Sequence, residues 1–401
     1  MNILFLNNGK LSKIASHSLY TDLIRSLRKE GHSVFVVGSF EKKHKKKTTF
    51  YLDEGVNCVM VKTGNTTKCN PITKFLSTLF IPSKYIHGIK KFFKHIHFDI
   101  VVYPTPPIAF YKIIKYLKKR DNPYCYLLLK DIFPQNAVDL GLIKKTGLKG
   151  LLYHSFRKQE KELYSLSTRI GCMSEANVRY VLIHNPQISE SKVEVFPNCI
   201  EPRAIVTSNT DKKMIREKYN IPLNKKVFVY GGNLGKPQGV QFIIKCLKAE
   251  KNNDQIFFLI VGDGTEYTKI KEFESQGEVC NFKLIKALPK EEYELLVSSC
   301  DVGLVFLDYR FTIPNYPSRI LSYLQSKLPI LACTDANTDL GADLEREGVG
   351  WWCESNSVEN FKQTINDVLK TDLDSMKNRA FDYLIKNFDV RKHITKITLK
   401  Q

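Results

Sequence analysis

Phe311 to Ala332, FTIPNYPSRILSYLQSKLPILA, is the stretch that decides how this chain is read. A turn marked by Pro314 and Pro317 runs into Ser318 and Arg319. Ile320, Leu321 and Leu324 follow at helical spacing, Leu328-Pro329 ends that helix, and Ile330-Leu331-Ala332 begins a buried strand. A helix start that carries a serine and an arginine brings free N–H groups, the helix dipole and a guanidinium to one place, which suits an anion. An ordinary capped helix of an α/β domain has the same pattern, so the anion reading needs a second loop of its kind.

Val227 to Leu247, VFVYGGNLGKPQGVQFIIKCL, supplies it. Val227 to Tyr230 is a short apolar run of strand type. Gly231, Gly232, Gly235 and Gly239 allow a tight turn, Lys236 sits in it, and Val240 to Leu247 reads as the next helix. Strand, glycine loop, basic residue and helix outline a phosphate cradle. The spacing is neither the GxGxxG dinucleotide fingerprint nor a Walker A loop.

Working outward, the remaining sequence alternates strands with helices. In the first half the strands are expected at 2–6, 33–37, 99–103, 124–129, 170–173 and 193–196, with helices at 19–29, 108–118, 148–165 and 176–183. In the second half strands at 227–230, 256–261, 282–285 and 302–306 alternate with helices at 240–247, 266–274 and 290–298. This alternation predicts parallel, doubly wound sheets. Two α/β domains joined near 198–216 would set the carboxyl ends of their strands around a shared cleft, the edge at which open α/β sheets bind ligands. The segment 376–399 reads as helical with a break near Asn387-Phe388-Asp389, packing back on the first domain.

The chain has 401 residues and 43% hydrophobic content, enough for real cores. No apolar run nears the roughly 20 residues that span a bilayer, and MNILFLNN reads as a strand rather than a signal peptide. A cytoplasmic protein is expected. Ten cysteines without a Cys-x-x-Cys read as buried free thiols, and His95-x-His97, the close histidine pair, lacks a third ligand nearby, so no metal is expected. Charge is uneven: residues 1–200 hold 32 Lys and Arg against 14 Asp and Glu. Lys42, Lys43, Lys45, Lys46 and Lys47 form one run, and Lys84, Lys90, Lys91 and Lys94 flank an apolar helical stripe of Tyr85, Ile86, Ile89, Phe92, Phe93 and Ile96. Each cluster alone is a solvated face. Together they suit an anionic membrane surface, worth about 1 kcal/mol per nearby basic residue. Nucleic acid ranks lower and is not expected as a partner, for want of any recognition motif.

These motifs, in their order, resemble the GT-B-fold glycosyltransferases, specifically retaining nucleotide-sugar transferases of glycosyltransferase family 4, in the branch that builds bacterial capsule and O-antigen polysaccharides. The anchors are Gly31-His32-Ser33-Val34, Lys130-Asp131-Ile132-Phe133-Pro134-Gln135, Pro197-Asn198, Gly232-Asn233-Leu234-Gly235, Val261-Gly262-Asp263-Gly264, Asp301-Val302-Gly303-Leu304 and Tyr316-Pro317-Ser318-Arg319. The resemblance implies two facing Rossmann-like domains. Residues 1–200, completed by a C-terminal helix at 380–401, would bind the acceptor, and residues 201–379 the nucleotide sugar, with a UDP-sugar as the expected donor and no cofactor. It implies Lys236 and Arg319 on the diphosphate. Gly232, Asn233, Gly262, Asp263, Gly264, Leu288, Pro314, Asn315, Ser318 and Ser322 would complete the donor site. Where the family carries two glutamates, this chain has Pro314 and Ser322. The acceptor is expected to be a lipid-diphosphate-linked saccharide, and the protein to sit peripherally on the inner face of the cell membrane.

Chemically, transfer must stabilise a departing diphosphate, and preorganised cations act as that charge develops. Lys236, Arg319 and the start of the Arg319 helix are assigned to it. Asp131, at a strand end, orients the acceptor hydroxyl or acts as base, or else is an N-cap or loop aspartate. Gly9 and Lys10 either approach the diphosphate or the acceptor or make a plain βα turn, and Gln135 is a further acceptor candidate. A nucleotide-sugar epimerase of the same fold and a non-catalytic scaffold that binds a partner enzyme are the competing readings; donor binding separates the scaffold.

Overall fold

The computed structural model describes residues 1–66, 69–205 and 207–399. The chain divides into two compact units, Met1–Glu201 with the segment from Asp389 onward, and Pro202–Phe388. The last two residues of the helix expected at 380–401 lie outside the described residues.

The first unit is built on eight strands: β1 (Asn2–Leu6), β2 (Ser33–Glu41), β3 (Thr49–Asp53), β4 (Val56–Thr63), β5 (Ile100–Thr105), β6 (Tyr124–Leu129), β7 (Arg169–Cys172) and β8 (Val193–Val195), in the order β3-β4-β2-β1-β5-β6-β7-β8. Helices α1 (Leu19–Lys29), α2 (Pro71–Phe92), α3 (Tyr111–Arg120), α4 (Gln135–Asp139), α5 (Gly147–Leu166) and α6 (Glu175–His184) cover it. β1, β5 and β6 are continuous apolar runs because helices bury both of their faces. The start of α1 is fixed by Ser18, whose side chain accepts from the Thr21 amide, and Leu23, Ile24 and Leu27 bury its inner face. One expectation is corrected: the sheet is not wholly parallel, because β3 pairs antiparallel with β4. That hairpin also extends β2 past Val37, since Gly38 to Glu41 find partners in Met60 to Thr63. It turns at Glu54-Gly55, both left-handed.

The second unit has six parallel strands, β9 (Lys226–Asn233), β10 (Ile256–Asp263), β11 (Phe282–Lys286), β12 (Val302–Phe306), β13 (Ile330–Thr334) and β14 (Gly350–Glu354), in the order β11-β10-β9-β12-β13-β14. Its helices are α7 (Asn209–Lys218), α8 (Val240–Ala249), α9 (Tyr267–Ser275), α10 (Lys290–Ser298), α11 (Ile320–Gln325), α12 (Leu340–Arg346), α13 (Val358–Lys370) and α14 (Asp374–Phe388). Ile243, Cys246 and Leu247 of α8 pack with Phe228, Tyr230, Phe258 and Phe306 in one core. α14 stops at Phe388. Val390, Ile394 and Ile397 then enter the core of the first unit, with Ile3, Leu23 and Leu27.

Both sheets reverse direction of winding once. In the second unit the reversal lies between β9 and β12, and in the first between β1 and β5. Crevices outside the carboxyl ends at such points are where open α/β sheets bind ligands.

Candidate active site

In the second unit, the turn after β9 is held by Gln238. Its buried side-chain oxygen accepts from the Gly235 amide at 3.0 Å and from Asn233 Nδ2 at 3.3 Å. The turn is tied to the end of β12 by the Asp308 amide, which donates to the Pro237 carbonyl at 2.9 Å. Gly239, at φ 59°, makes the left-handed corner from which α8 starts. Lys236 opens this turn, exposed, and makes no ion pair or side-chain hydrogen bond among the described residues.

Arg319 stands over the same strand end. Its guanidinium carbon lies 4.3 Å from the centroid of the Tyr230 ring, and Nη1 donates to the Gly231 carbonyl at 3.3 Å. The guanidinium is 3.5 Å from where a Cβ on Gly232 would stand, so Gly232, at φ 134°, leaves its face open. Three phenols enclose this cation. Burial pushes the pKa of Tyr230 and Tyr323 up, and that of Tyr293 up to about 12, so all three stay neutral. Among the described residues no carboxylate pairs with Arg319. A half-buried cation resting on a ring and lacking a counter-ion is prepared for an external anion, with a cation–π contribution of about 2 kcal/mol when desolvated.

The expectation of free amides at the start of the Arg319 helix is corrected. Arg319 caps a six-residue helix, and the amides of Ile320, Leu321 and Ser322 are spent on the carbonyls of Pro317, Ser318 and Arg319. The guanidinium, not the helix end, is the donor on offer. Ser322 Oγ donates to the Arg319 carbonyl at 3.1 Å, and Tyr293 also hydrogen-bonds to Ser322. Ser318 is exposed; Pro314 is buried, and the half-buried Asn315 accepts from Thr338 Oγ1 at 2.6 Å.

The glycines serve packing more than expected. A Cβ on Gly262 would overlap the Gly232 carbonyl, and one on Gly264 the Leu234 backbone, so β10 can run flush against β9. Asp263 Oδ1 accepts from the Gly264 amide at 2.8 Å, and Leu288 is half-buried after β11. Gly231 makes room for the Tyr293 hydroxyl and Gly303 for the Tyr323 ring. Tyr230, Tyr293, Tyr323 and Gln238 were not anticipated as site residues. A tyrosine four residues after Arg319 on a helix was the available signal, since i and i+4 share a face.

The remaining candidates belong to the first unit. Gly9, at φ 101°, follows β1 at the reversal point; its carbonyl accepts from the Ser39 amide at 2.9 Å and Asn7 Nδ2 at 3.0 Å, and Lys10 is exposed. Asp131 follows β6. Burial raises its carboxyl pKa to about 6, against the hydrogen bonds from the Ile132 backbone and from Asn136 Nδ2, the latter at 2.6 Å. The adjacent Lys130 Nζ donates to the Phe196 and Pro197 carbonyls at 3.2 and 3.1 Å, and burial lowers its pKa to about 8. Gln135 Nε2 donates to Asp139 Oδ1 at 2.6 Å. Among the described residues no group of three or more His, Cys, Asp or Glu could hold a metal ion.

Residues 211–385 match the family model described as Glycosyl transferases group 1. The chain is 25% identical over 295 residues to glycosyltransferase WbjE of Pseudomonas aeruginosa, covering 72% of this chain and 71% of that one. It is also 25% identical over 185 residues to the colanic acid biosynthesis glycosyl transferase WcaI of Escherichia coli (strain K12), 45% of each chain. The crystal structure of Anabaena HepE in complex with UDP and glucose superposes with a TM-score of 0.68 at 15% identity, over 99% of this chain and 98% of that one. At that identity the likeness shows the fold, which is GT-B.

Proposed function

We propose that this chain is a group 1 glycosyltransferase that binds a nucleoside-diphosphate sugar, with UDP as the nucleotide, at the carboxyl end of β9. It moves the sugar with retention to a lipid-diphosphate-linked saccharide, as a family 4 enzyme of capsule or O-antigen synthesis. The observation that carries this reading is Arg319: a guanidinium stacked on Tyr230, beside the open face of Gly232, with no carboxylate partner among the described residues. Lys236 in the β9 turn supplies a second, exposed cation. Polysaccharide synthesis is supported by the colanic acid biosynthesis named for the WcaI relative, and UDP by the HepE complex.

In this mechanism the acceptor oxygen bonds to the anomeric carbon on the face that the diphosphate leaves. The bond between that carbon and the phosphate oxygen breaks, and the hydroxyl proton passes to a phosphate oxygen. Arg319 and Lys236 stabilise the negative charge growing on the leaving group. Asp131, ionised above about pH 6, hydrogen-bonds the acceptor hydroxyl. No protein nucleophile takes part.

The first unit is assigned to the membrane face. No helix among the described residues is long and apolar enough to cross a membrane. Leu79 and Phe80 of α2 are 46% and 59% exposed, and Lys84, Lys90 and Lys91 follow on the same helix. Peripheral attachment through apolar and basic side chains accounts for both.

The test is nucleoside diphosphate release with UDP-sugars, given a polyprenyl-diphosphate-linked saccharide or a free sugar as acceptor. Release with the lipid-linked acceptor and an α-linked product from an α-linked donor is expected. Inversion at the anomeric carbon, or equal release with every free sugar, would overturn the retaining or the lipid-linked part respectively.

A further inference from the structure

A cavity of about 250 Å³ lies in the first unit between α5 and α6, walled on one side by the turn that follows β6. Part of its lining is a completed network. Arg157 donates to Glu160 at 2.5 Å, to the His184 carbonyl at 2.8 Å and to Asn185 Oδ1 at 2.6 Å, while Tyr164 donates to the other Glu160 oxygen at 2.8 Å. Glu160 is buried, and it is the one carboxylate among the described lining residues. Its charge is therefore already answered.

What remains unspent is rich in donors. Lys145 and Lys161 are exposed at the rim, and neither is in an ion pair among the described residues. The Lys145 ammonium hovers 5.6 Å from the centroid of the Tyr153 ring. Tyr180, stacked on His184 at 3.9 Å, adds a phenol. Ammonium groups only donate, and phosphate oxygens accept strongly. A neutral saccharide would leave both ammonium charges without a counter-charge here.

We propose that this cavity binds the diphosphate of a lipid-linked molecule, with Lys145 and Lys161 as its ligands. The lipid chain has a place beside it. Leu142, Leu151 and Leu152 are 51%, 70% and 40% exposed on the segment that carries Lys145 and Tyr153. The chain there folds closely, since a Cβ on Gly150 would sit 2.7 Å from the Lys145 carbonyl oxygen. Exposed leucines next to a cationic cavity complement an amphiphile, whereas a free phosphate would use the lysines alone. The choice of a lipid source rests on the lipid-linked acceptor proposed above; the anion site does not.

The test is calorimetric titration of the full chain with geranyl diphosphate and, separately, with inorganic diphosphate, with UDP as a control for the second unit. Lys145→Ala/Lys161→Ala, checked by a thermal melt, should bind geranyl diphosphate roughly tenfold or more weakly, the scale of one lost charge-assisted contact, while its response to UDP stays that of wild type. Leu142→Ser/Leu151→Ser should lose affinity for geranyl diphosphate and keep it for inorganic diphosphate. Equal affinities in wild type and the lysine variant would overturn the site. Wild-type affinity for geranyl diphosphate in the leucine variant would overturn the lipid source. If UDP fails to bind wild type while geranyl diphosphate binds through the lysines, the donor reading falls and this one stands.

Discussion

The carboxyl edges of the two sheets solve opposite electrostatic problems. At β9 a guanidinium is kept charged without a counter-ion, held by the Tyr230 face and the Gly231 carbonyl. At β6 a carboxyl group is buried until its pKa rises to about 6, with Asn136 as its side-chain donor. One cation has no carboxylate partner among the described residues, and one carboxyl group is reluctant to ionise. The first arrangement suits a ligand that brings the anion with it, and the second a group that takes or orients a proton near neutral pH.

This contrast can be broken most severely at Arg319. Arg319→Ala should lower turnover about 10²–10³-fold, the scale of one lost oxyanion donor, and Arg319→Lys should recover little, because an ammonium cannot both stack and donate in a fork. Steady-state rates with saturating acceptor check this. Asp131→Asn should cost roughly 10²-fold in kcat/KM and should remove a limb of the pH profile. In wild type that limb rises with pH through about 6, as Asp131 ionises. The stability sign is opposite to that of a salt-bridged aspartate. Because the folded-state pKa is raised, ionisation costs stability, and the cost grows as pH rises from the ordinary carboxylate range through about 6. Asp131→Asn should therefore melt no lower than wild type at pH 8, an advantage that fades below pH 4. A lower melting point at pH 8 would mean that the ionised group is being held, not strained.

Smaller effects sharpen the account of the cation. Tyr230→Leu should weaken donor affinity about tenfold through lost stacking, whereas Tyr230→Phe, which keeps the ring and loses the 2.6 Å hydrogen bond to the Asn233 carbonyl, should change it only a few-fold. Gly262→Ala should destabilise the second unit by about 1–3 kcal/mol without touching a ligand, because its methyl would overlap the Gly232 carbonyl; a denaturant midpoint near wild type would show that β10 can give way.

The alternation of apolar runs and amphipathic stretches was enough to read most of both sheets, because buried parallel strands need continuous apolar sequence and their covering helices do not. The β3-β4 hairpin was missed because its strands lie beside the 42–47 lysine run and Phe50 and Leu52 face outward, which hides the two-residue period. β14 was missed because Trp351 and Trp352 are only half-buried. Arg319 and Lys236 were legible as basic residues in turns. The tyrosines around Arg319 were not, since Tyr230, Tyr293 and Tyr323 come from three separate elements and meet only through the space left by Gly231 and Gly303.

Arg319 is assigned as the diphosphate ligand of the second unit, and UDP titration by calorimetry on the full chain tests that assignment most directly. Saturable binding to wild type that weakens roughly 100-fold in Arg319→Ala, with a cooperative thermal melt of the unliganded variant, is the predicted result. Equal dissociation constants for the two proteins would contradict it.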